Sequence, residues 1–227
     1  MTSYRSASLA AGVLYLLTFI SIPTLSLYTA VHHPDYITGP GPDMPVFIGG
    51  ILEIIVALTG IGTAVALYPV LKKQNEGLAL GLVGSRVLEA STIFAGVAFL
   101  LAVVTLRQSG AGPDALPSAR ALVTMYDRMF LVGQSFMPAV NDFLLGILLY
   151  RSRLVPRGLA LIGALGAFAL VAGDLAILFG VVQQRDPSTF LAAVPVAFFE
   201  FGLGLWLVVK GFDATALNRL TTEVQHG

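Results

Sequence analysis

The sequence predicts an all-helical membrane protein, because it combines little charge, high hydropathy and repeated apolar stretches of membrane-spanning length. Hydrophobic residues make up 56% of the 227 residues and charged residues only 11%, whereas soluble domains are close to one quarter charged. The mean hydropathy is +0.83. Apolar stretches of about 18 residues or more recur along the chain, and a helix of that length crosses the hydrocarbon core of a bilayer.

Residue composition narrows the possible functions. Lysine plus arginine and aspartate plus glutamate number 13 each, so the chain has no basic field for DNA or RNA and no nucleic-acid partner is expected. It has no cysteine, and its histidines are His32, His33 and His226. Because two adjacent histidines rarely converge on one ion, no metal site is predicted. No nucleotide-binding, zincin or serine-hydrolase motif occurs in a usable context, so no cofactor is expected either.

Three spans are predicted in the first half of the chain. The first covers 8–28 and follows Arg5, as the apolar part of a signal peptide does, but its length and the lack of a clear cleavage site favour an uncleaved helix. The second, 47–71, begins after a loop rich in proline and glycine and ends in the sequence LYPVLKK. The third, 78–106, is almost continuously apolar.

Three further spans are predicted in the second half, at 129–150, 158–182 and 190–210. Basic residues follow the first and last of them. The polar segment 107–128, between the third and fourth spans, is expected to be an external loop. We therefore predict one integral membrane domain over 1–227, a bundle of six helices.

The distribution of basic residues predicts the orientation of this bundle. One side of the six-span arrangement carries Arg5, Lys72, Lys73, Arg151, Arg153, Arg157, Lys210 and Arg219. The other side carries Arg107, Arg120, Arg128 and Arg185. Because cytoplasmic loops of membrane proteins are enriched in lysine and arginine, both termini are expected in the cytoplasm.

Four charged residues are predicted to lie at a similar depth inside the bilayer. At about 1.5 Å per residue, Arg86, Glu89, Asp142 and Glu200 fall roughly 12 to 16 Å from the cytoplasmic end of their helices. A charge at this depth costs at least about 2.5 kcal/mol, so such groups normally face the bundle interior and find partners. Arg86 and Glu89 are three residues apart and share a helix face, which allows them to pair.

The excess of acids over arginine in this layer has a chemical consequence. Three carboxylates and one guanidinium cannot all remain ionised cheaply at low dielectric, so at least one acid is expected to hold a proton near neutrality. Such a group suits proton-linked transport, cation binding or acid catalysis. The alternative is that these residues only fix the register and orientation of the helices.

A second, shallower polar layer is predicted near the opposite side of the membrane. Glu53 and Asp174 would form it together with His32, His33, Asp127 or Arg128. A carboxylate near the interface can also reach water, so a purely structural role is equally open for Glu53 and Asp174.

Small residues at helical spacing are expected to permit close helix packing. They occur at Gly77, Gly81 and Gly84, and again at Gly163 and Ala167.

Three sequence blocks resemble a known family. LYPVLKKQNEGLALGLVGSRVLEA, LLYRSRLVPRGLALIGALGAF and PVAFFEFGLGLWLVVKGF are similar, in order and spacing, to the bacterial multipass membrane family called domain of unknown function 4386. The resemblance implies a six-helix domain in the bacterial cytoplasmic (inner) membrane. The residues that match the family pattern are Arg86, Glu89, Arg151, Arg157, Glu200, Trp206 and Lys210. The resemblance implies no chemistry, and Asp142 and Asp174 lie outside the matching blocks.

The first hypothesis for function is binding or proton-linked transport of a small amphiphilic or cationic molecule. The ligand would occupy an intramembrane cavity lined by Arg86, Glu89, Glu200 and Asp142, because intramembrane acids mark proton relays and substrate pathways. A lipid or another small molecule in this cavity, and the surrounding bilayer, are the expected partners.

Two other hypotheses remain open. An intramembrane enzyme acting on a lipid or isoprenoid would use a protonated carboxylic acid as its general acid, as terpene cyclases do. A structural or accessory membrane subunit would instead pair all of its buried charges. The residues alone leave open whether the protein is an enzyme.

Overall fold

The computed structural model describes residues 2–223, apart from the side chains of residues 2, 3, 25, 187 and 223. The described chain is helical throughout its regular elements and contains no strand. The α-helices are α1 (Thr2–Thr18), α2 (Thr24–Leu27), α3 (Met44–Leu71), α4 (Glu76–Gln108), α5 (Leu116–Met129), α6 (Met137–Ser152), α7 (Arg157–Leu178), α8 (Phe190–Val209) and α9 (Ala214–Glu223).

Five helical segments of the described chain are long and apolar enough to cross a membrane. They comprise α3, α4, the continuous helical run Gly112–Ser152, α7 and α8. The protein is therefore a multipass membrane protein. The first predicted span is divided here, because α1 ends at Thr18 and a 3₁₀ turn over Phe19–Ser21 and Pro23 separate it from α2.

The segment that the sequence analysis assigned to an external loop is largely helical. α5 occupies Leu116–Met129 and continues through a π-helical segment, Phe130–Phe136, into α6. The prediction of a loop at 107–128 was wrong. This segment is too polar to be predicted as a membrane span from its hydropathy, although it forms the helix α5. Its buried side is supplied by a few residues, such as Ala119 and Tyr126, which pack with α4.

The main helices pack as a closed ring. α1 contacts α3 and α8, α3 contacts α4, α4 contacts α6, α6 contacts α7, and α7 contacts α8. α4 and α8 are therefore opposite each other in the ring. Side chains that both helices direct inward can meet only across the interior of the bundle.

The ends of the bundle can be distinguished by their contacts. Arg5 donates to the carbonyl oxygens of Leu207 and Val208 at 3.1 and 2.6 Å, and Lys73 donates to the Tyr4 hydroxyl at 2.7 Å. The start of α1 and the ends of α3 and α8 thus lie at one face, called the terminal face below. The opposite face carries His32, Asp43, Arg107, Asp127 and Arg185 and is called the distal face.

The half of the bundle next to the terminal face has a closely packed apolar core. Its fully buried side chains include Tyr15, Leu67, Leu71, Leu145, Leu149, Leu203 and Leu207. Many large apolar side chains on the outside of the ring are exposed, as a lipid-facing surface requires. The buried side chains of this core lie between the terminal face and the polar groups described next.

Candidate functional site

Arg86 and two glutamates form the centre of the site. Arg86 and Glu89 lie three residues apart on one face of α4. Arg86 donates from Nη1 to Glu89 Oε2 at 3.0 Å and from Nη2 to Glu200 Oε1 at 2.7 Å. Arg86 is 3% exposed. Its ion pair with Glu89 is buried, whereas its ion pair with Glu200 is half-buried because the Glu200 side chain is 14% exposed. These three residues, called the central cluster below, connect α4 with α8 across the interior of the ring.

Uncharged side chains from two further helices complete the central cluster. Asn141 of α6 donates to Glu89 Oε2 at 2.7 Å, and Ser85 donates to Asn141 Oδ1 at 2.5 Å. The Tyr15 hydroxyl of α1 lies 3.4 Å from Arg86 Nη2 and accepts from it. None of these three residues was predicted from the sequence, because none of them carries a charge. A polar residue within an apolar span was the available signal for Asn141.

A cavity of about 700 Å³ begins at the central cluster and extends toward the distal face. Arg86, Glu89 and Glu200 line its deep end. Residues of α1, the π-helical segment, α7 and α8 form its walls, which are mainly apolar and include Phe19, Phe130, Leu170, Ile177, Ala193 and Val196. Its distal end includes exposed residues such as Ile22 and Arg185.

Each glutamate of the central cluster has one carboxylate oxygen engaged in hydrogen bonds with described residues. Arg86 and Asn141 bind Glu89 through Oε2, and Arg86 binds Glu200 through Oε1. No described residue donates a hydrogen bond to Glu89 Oε1 or Glu200 Oε2. Because one guanidinium balances only one of the two carboxylates, a cation or a proton in the cavity would neutralise the other.

Asp142 lies beside the central cluster but outside the cavity wall. It is 0% exposed, and neither of its oxygens has a hydrogen-bond partner among the described residues. The charged groups that act on it are Glu200, Arg86 and Glu89. The structure therefore brings Asp142 close to the other three predicted residues without a direct hydrogen bond or ion pair to them.

The π-helical segment Phe130–Phe136 connects the two acids of the predicted shallower layer. Gln134 donates to Glu53 Oε1 at 3.2 Å, whereas Ser135 donates to Asp174 Oδ1 at 2.5 Å. Two consecutive side chains thus reach acids on different helices, α3 and α7. Such wide helical turns occur frequently at functional sites. Nothing in the sequence distinguishes this segment from an ordinary α-helix.

Glu53 is enclosed away from the cavity. It is 0% exposed and accepts a hydrogen bond from the Tyr126 hydroxyl at 2.8 Å in addition to the one from Gln134. The Tyr28 ring packs edge-on against Tyr126, with the ring centroids 5.4 Å apart. These contacts hold the segment after α1 and the helices α3 and α5 together, while the Oε2 atom of Glu53 has no hydrogen-bond partner among the described residues.

Asp174, in contrast, lines the cavity. It is 5% exposed, and its Oδ2 atom has no hydrogen-bond partner in the described chain. Glu53 and Asp174 are thus at a similar depth, since consecutive residues bind them, but they lie on different sides of the cavity wall. The structure places Asp174 on the wall of the cavity and Glu53 behind that wall.

The other residues of the predicted shallower layer lie at the distal surface. His32 Nε2 is 3.0 Å from Asp127 Oδ1, which also accepts from Arg185 Nη2 at 3.0 Å. His33 is near Asp35 at the surface, 3.6 Å away, and Arg128 donates to Gln184 at 3.3 Å. The contacts of Asp127 and Arg128 link α5 to the adjacent loops.

The described residues do not form a ligand set for a metal ion. Among residues 2–223, no group of three or more histidine, aspartate or glutamate residues is arranged to hold a metal ion. His226 lies outside the described residues.

Comparison with known proteins identifies the family of the chain but not a biochemical activity. No curated protein and no solved structure matches the chain. The family model described as "Domain of unknown function (DUF4386)" matches residues 10–211, which include the central cluster and every wall of the cavity. The protein therefore belongs to the DUF4386 family of multipass membrane proteins.

Proposed function

We propose that the protein binds a small cationic amphiphile in the intramembrane cavity and exchanges it for protons in transport across the membrane. The observation that carries this proposal is the unequal charge of the central cluster. Arg86 bridges Glu89 and Glu200, and both carboxylates keep one oxygen free beside the cavity. Buried carboxylates without a full set of partners are costly in a membrane, and a ligand cation or a proton removes that cost.

The shape of the cavity supports an amphiphilic ligand. Its walls are mainly apolar, and Phe19, Phe130 and Phe190 are among the lining residues. Aromatic faces attract organic cations, and the effect is strongest where water is excluded. A ligand that combines an ammonium or phosphonium group with apolar substituents would therefore match both the charged end and the walls.

Closure of the cavity toward the terminal face supports transport over static binding. The apolar core of the terminal half separates the central cluster from that face, whereas the distal end of the cavity includes exposed residues. A transporter that is open to one side has this arrangement, and rocking of helices around the fixed site would open the other side.

The proposed topology has six spans with both termini in the cytoplasm of a bacterium. α1 takes part in the ring as a neighbour of α3 and α8, so it occupies the place of a membrane-spanning helix despite its length of 17 residues. Most lysines and arginines lie toward the terminal face, which the positive-inside rule assigns to the cytoplasm. The cavity then opens to the outside of the inner membrane.

The test uses the full chain in lipid nanodiscs and tetraphenylphosphonium as the probe cation. Calorimetry should detect binding, and Glu200→Gln should weaken it at least about tenfold, equivalent to about 1.4 kcal/mol. Lower pH should also weaken binding, because protons compete for the same carboxylates. Glu76→Gln is the matched control, since it makes the same chemical change at the exposed start of α4.

Uptake into proteoliposomes distinguishes transport from other roles. An imposed proton gradient should drive uptake of the probe by the unaltered protein and not by the Glu200→Gln variant. Equal binding by both proteins would refute the proposed site. Binding without uptake, together with conversion of a co-purified lipid or isoprenoid, would instead support the enzyme hypothesis.

A further inference from the structure

We propose that the cavity is built for an elongated dication, with one cationic group bound at Glu89 and Glu200 and the other at Asp174. This inference rests on the proposed function, because it names the class of cation that the same cavity takes. It assigns a second binding station to Asp174, near the distal end, in addition to the central cluster.

Asp174 has the properties of an incomplete binding site. Its Oδ1 atom accepts from Ser135 at 2.5 Å, whereas its Oδ2 atom has no partner among the described residues. The residue is 5% exposed and lines the cavity. Leaving a buried acceptor without a donor costs free energy, so a cationic group of a ligand would supply the missing interaction.

Close packing of α7 against α8 fixes the relative heights of the two stations. A Cβ atom added at Gly163 would lie 2.6 Å from Phe199 Cδ1, and one added at Gly173 would lie 2.6 Å from Ala192 Cβ. These two contacts are ten residues apart on α7 and seven residues apart on α8. At about 1.5 Å per residue, they are separated by about 10 to 15 Å along the bundle.

The two carboxylate stations are next to these two contacts. Glu200 follows Phe199 on α8, and Asp174 follows Gly173 on α7. Each of these residues is one position further from the other station than its neighbouring contact, so the stations are separated by about 13 to 18 Å along the bundle axis. The cavity wall between them is apolar and includes Leu170, Ala193, Val196 and Ala197. A ligand with two cationic ends and an apolar linker matches this sequence of surfaces.

The charge of the cavity wall also favours a dication. Arg86 contributes one positive charge, and Glu89, Glu200 and Asp174 contribute three negative charges when they are ionised. At the distal end, the guanidinium of Arg185 is already paired with a carboxylate outside the wall. Two negative charges are thus left over. A dication neutralises both of them, whereas a monocation leaves one buried charge unbalanced.

The experiment compares dications with monocations of matched size. Binding of bis(trimethylammonium) alkanes with increasing linker length is measured by calorimetry on the full chain in nanodiscs, beside the corresponding alkyltrimethylammonium ions. We expect a maximum at the linker length that spans the two stations. There the dication should bind at least about tenfold more tightly than the monocation, because its second contact is intramolecular.

Variants of Asp174 test the second station. Asp174→Asn should lower the affinity of the dication by a larger factor than that of the monocation, so that the preference for the dication is lost. Asp186→Asn, which removes a charge from an exposed position in the next loop, should change neither. If Asp174→Asn fails to fold, Asp174→Glu provides the test, since the longer side chain should shift the preferred linker length.

The outcomes separate this inference from the proposed function. A dication series without a preferred length, or affinities unaffected by Asp174→Asn and Asp174→Glu, would overturn the second station. Monocation binding that depends on Glu200 would still support the proposed function in that case. Absence of any Glu200-dependent cation binding would overturn both.

Discussion

Arg86 donates a hydrogen bond to Glu200 across 2.7 Å, and these residues belong to helices on opposite sides of the ring. α4 and α8 have no extensive direct packing, since α1 and α3 lie between them on one side and α6 and α7 on the other. The ion pair is therefore a contact through the centre of the bundle. This ion pair joins two opposite helices of the bundle, and the same two residues line the deep end of the cavity.

Replacing Arg86 by leucine should destabilise the folded protein. The substitution leaves Glu89 and Glu200 close together without their shared cation, and breaking a buried ion pair in this way costs about 3 to 5 kcal/mol. Thermal unfolding in detergent, followed by circular dichroism, should show the loss. Arg120→Leu removes an exposed arginine from α5 and should have little effect.

A double substitution tests whether the loss comes from the unpaired acids. Glu200→Gln in the Arg86→Leu background should recover part of the stability, because it removes one uncompensated charge. If the two effects simply add, Arg86 and Glu200 are not energetically coupled and the central cluster is not the unit described above.

Substitution of Gly146 by alanine should also destabilise the bundle. A Cβ atom there would lie 2.7 Å from the Ala164 nitrogen and 2.9 Å from the Ala160 carbonyl oxygen. Both atoms belong to the α7 backbone and cannot rotate away, so α6 and α7 would have to separate. We expect a loss of about 1 to 3 kcal/mol, as for other overpacked interiors.

Gly84→Ala is the matched control for this substitution. A Cβ atom at Gly84 would have no neighbour within 4 Å, and alanine is favoured over glycine in helices by up to about 1 kcal/mol. The unfolding temperature should therefore stay the same or rise. A decrease as large as that for Gly146→Ala would show that close helix approach is not the cause.

These glycines illustrate how far the sequence predicts packing. Gly163 was expected to permit close packing, and it does face the Phe199 ring. Gly84, with the same spacing pattern, faces open space. Helical periodicity states which residues share a helix face, but it does not state whether that face meets a neighbouring helix or the lipid.

The candidate site shows the same limit. The pairing of Arg86 with Glu89 follows from their spacing alone, and Glu200 was found by its depth in the membrane. Asp142 was also predicted from its depth, but it lies outside the cavity wall. The depth of a residue does not indicate in which direction around the helix axis its side chain points. Asn141 carries no charge, so charge counting overlooked its hydrogen bond to Glu89.

Acid should weaken a second ion pair, at the distal face. Asp43 lies directly before α3 and accepts hydrogen bonds from Arg107, from the Tyr36 hydroxyl at 2.6 Å and from Gln108 at 2.8 Å. Burial alone would raise the pKa of Asp43, but these donors outweigh it and hold the pKa below its usual range. The stabilisation is therefore complete above about pH 4, the ordinary value for aspartate, and is lost as the pH falls further.

Asp43→Asn should remove this dependence on acid. At neutral pH the variant should be less stable by about 1 to 3 kcal/mol, because Arg107 loses its charged partner. The difference between the variant and the unaltered protein should shrink as the pH falls from about 4 to about 3, because the unfolded chain then binds a proton at Asp43 before the folded protein does. Asp114→Asn, at an exposed position of the same face, is the control. A constant difference across this pH range would contradict the assignment.

Cysteine labelling should show that the cavity is reached from the distal face only. The chain has no native cysteine, so a single cysteine reports one position. Ala193→Cys on the cavity wall should react with a membrane-impermeant thiol reagent added at the distal side, and tetraphenylphosphonium should slow the reaction. Leu145→Cys, in the closed core at 0% exposure, should not react from either side.

Two surface cysteines relate this result to the orientation of the protein in cells. Asp114→Cys lies exposed at the distal face and Asn218→Cys lies exposed on α9 near the terminal face. The proposed topology has both termini in the cytoplasm, as the positive-inside rule assigns them. In intact cells Asp114→Cys should therefore react, and Asn218→Cys should react only after permeabilisation. The reverse pattern would show that the cavity opens to the cytoplasm. The cation would then enter the cavity from the cytoplasmic side.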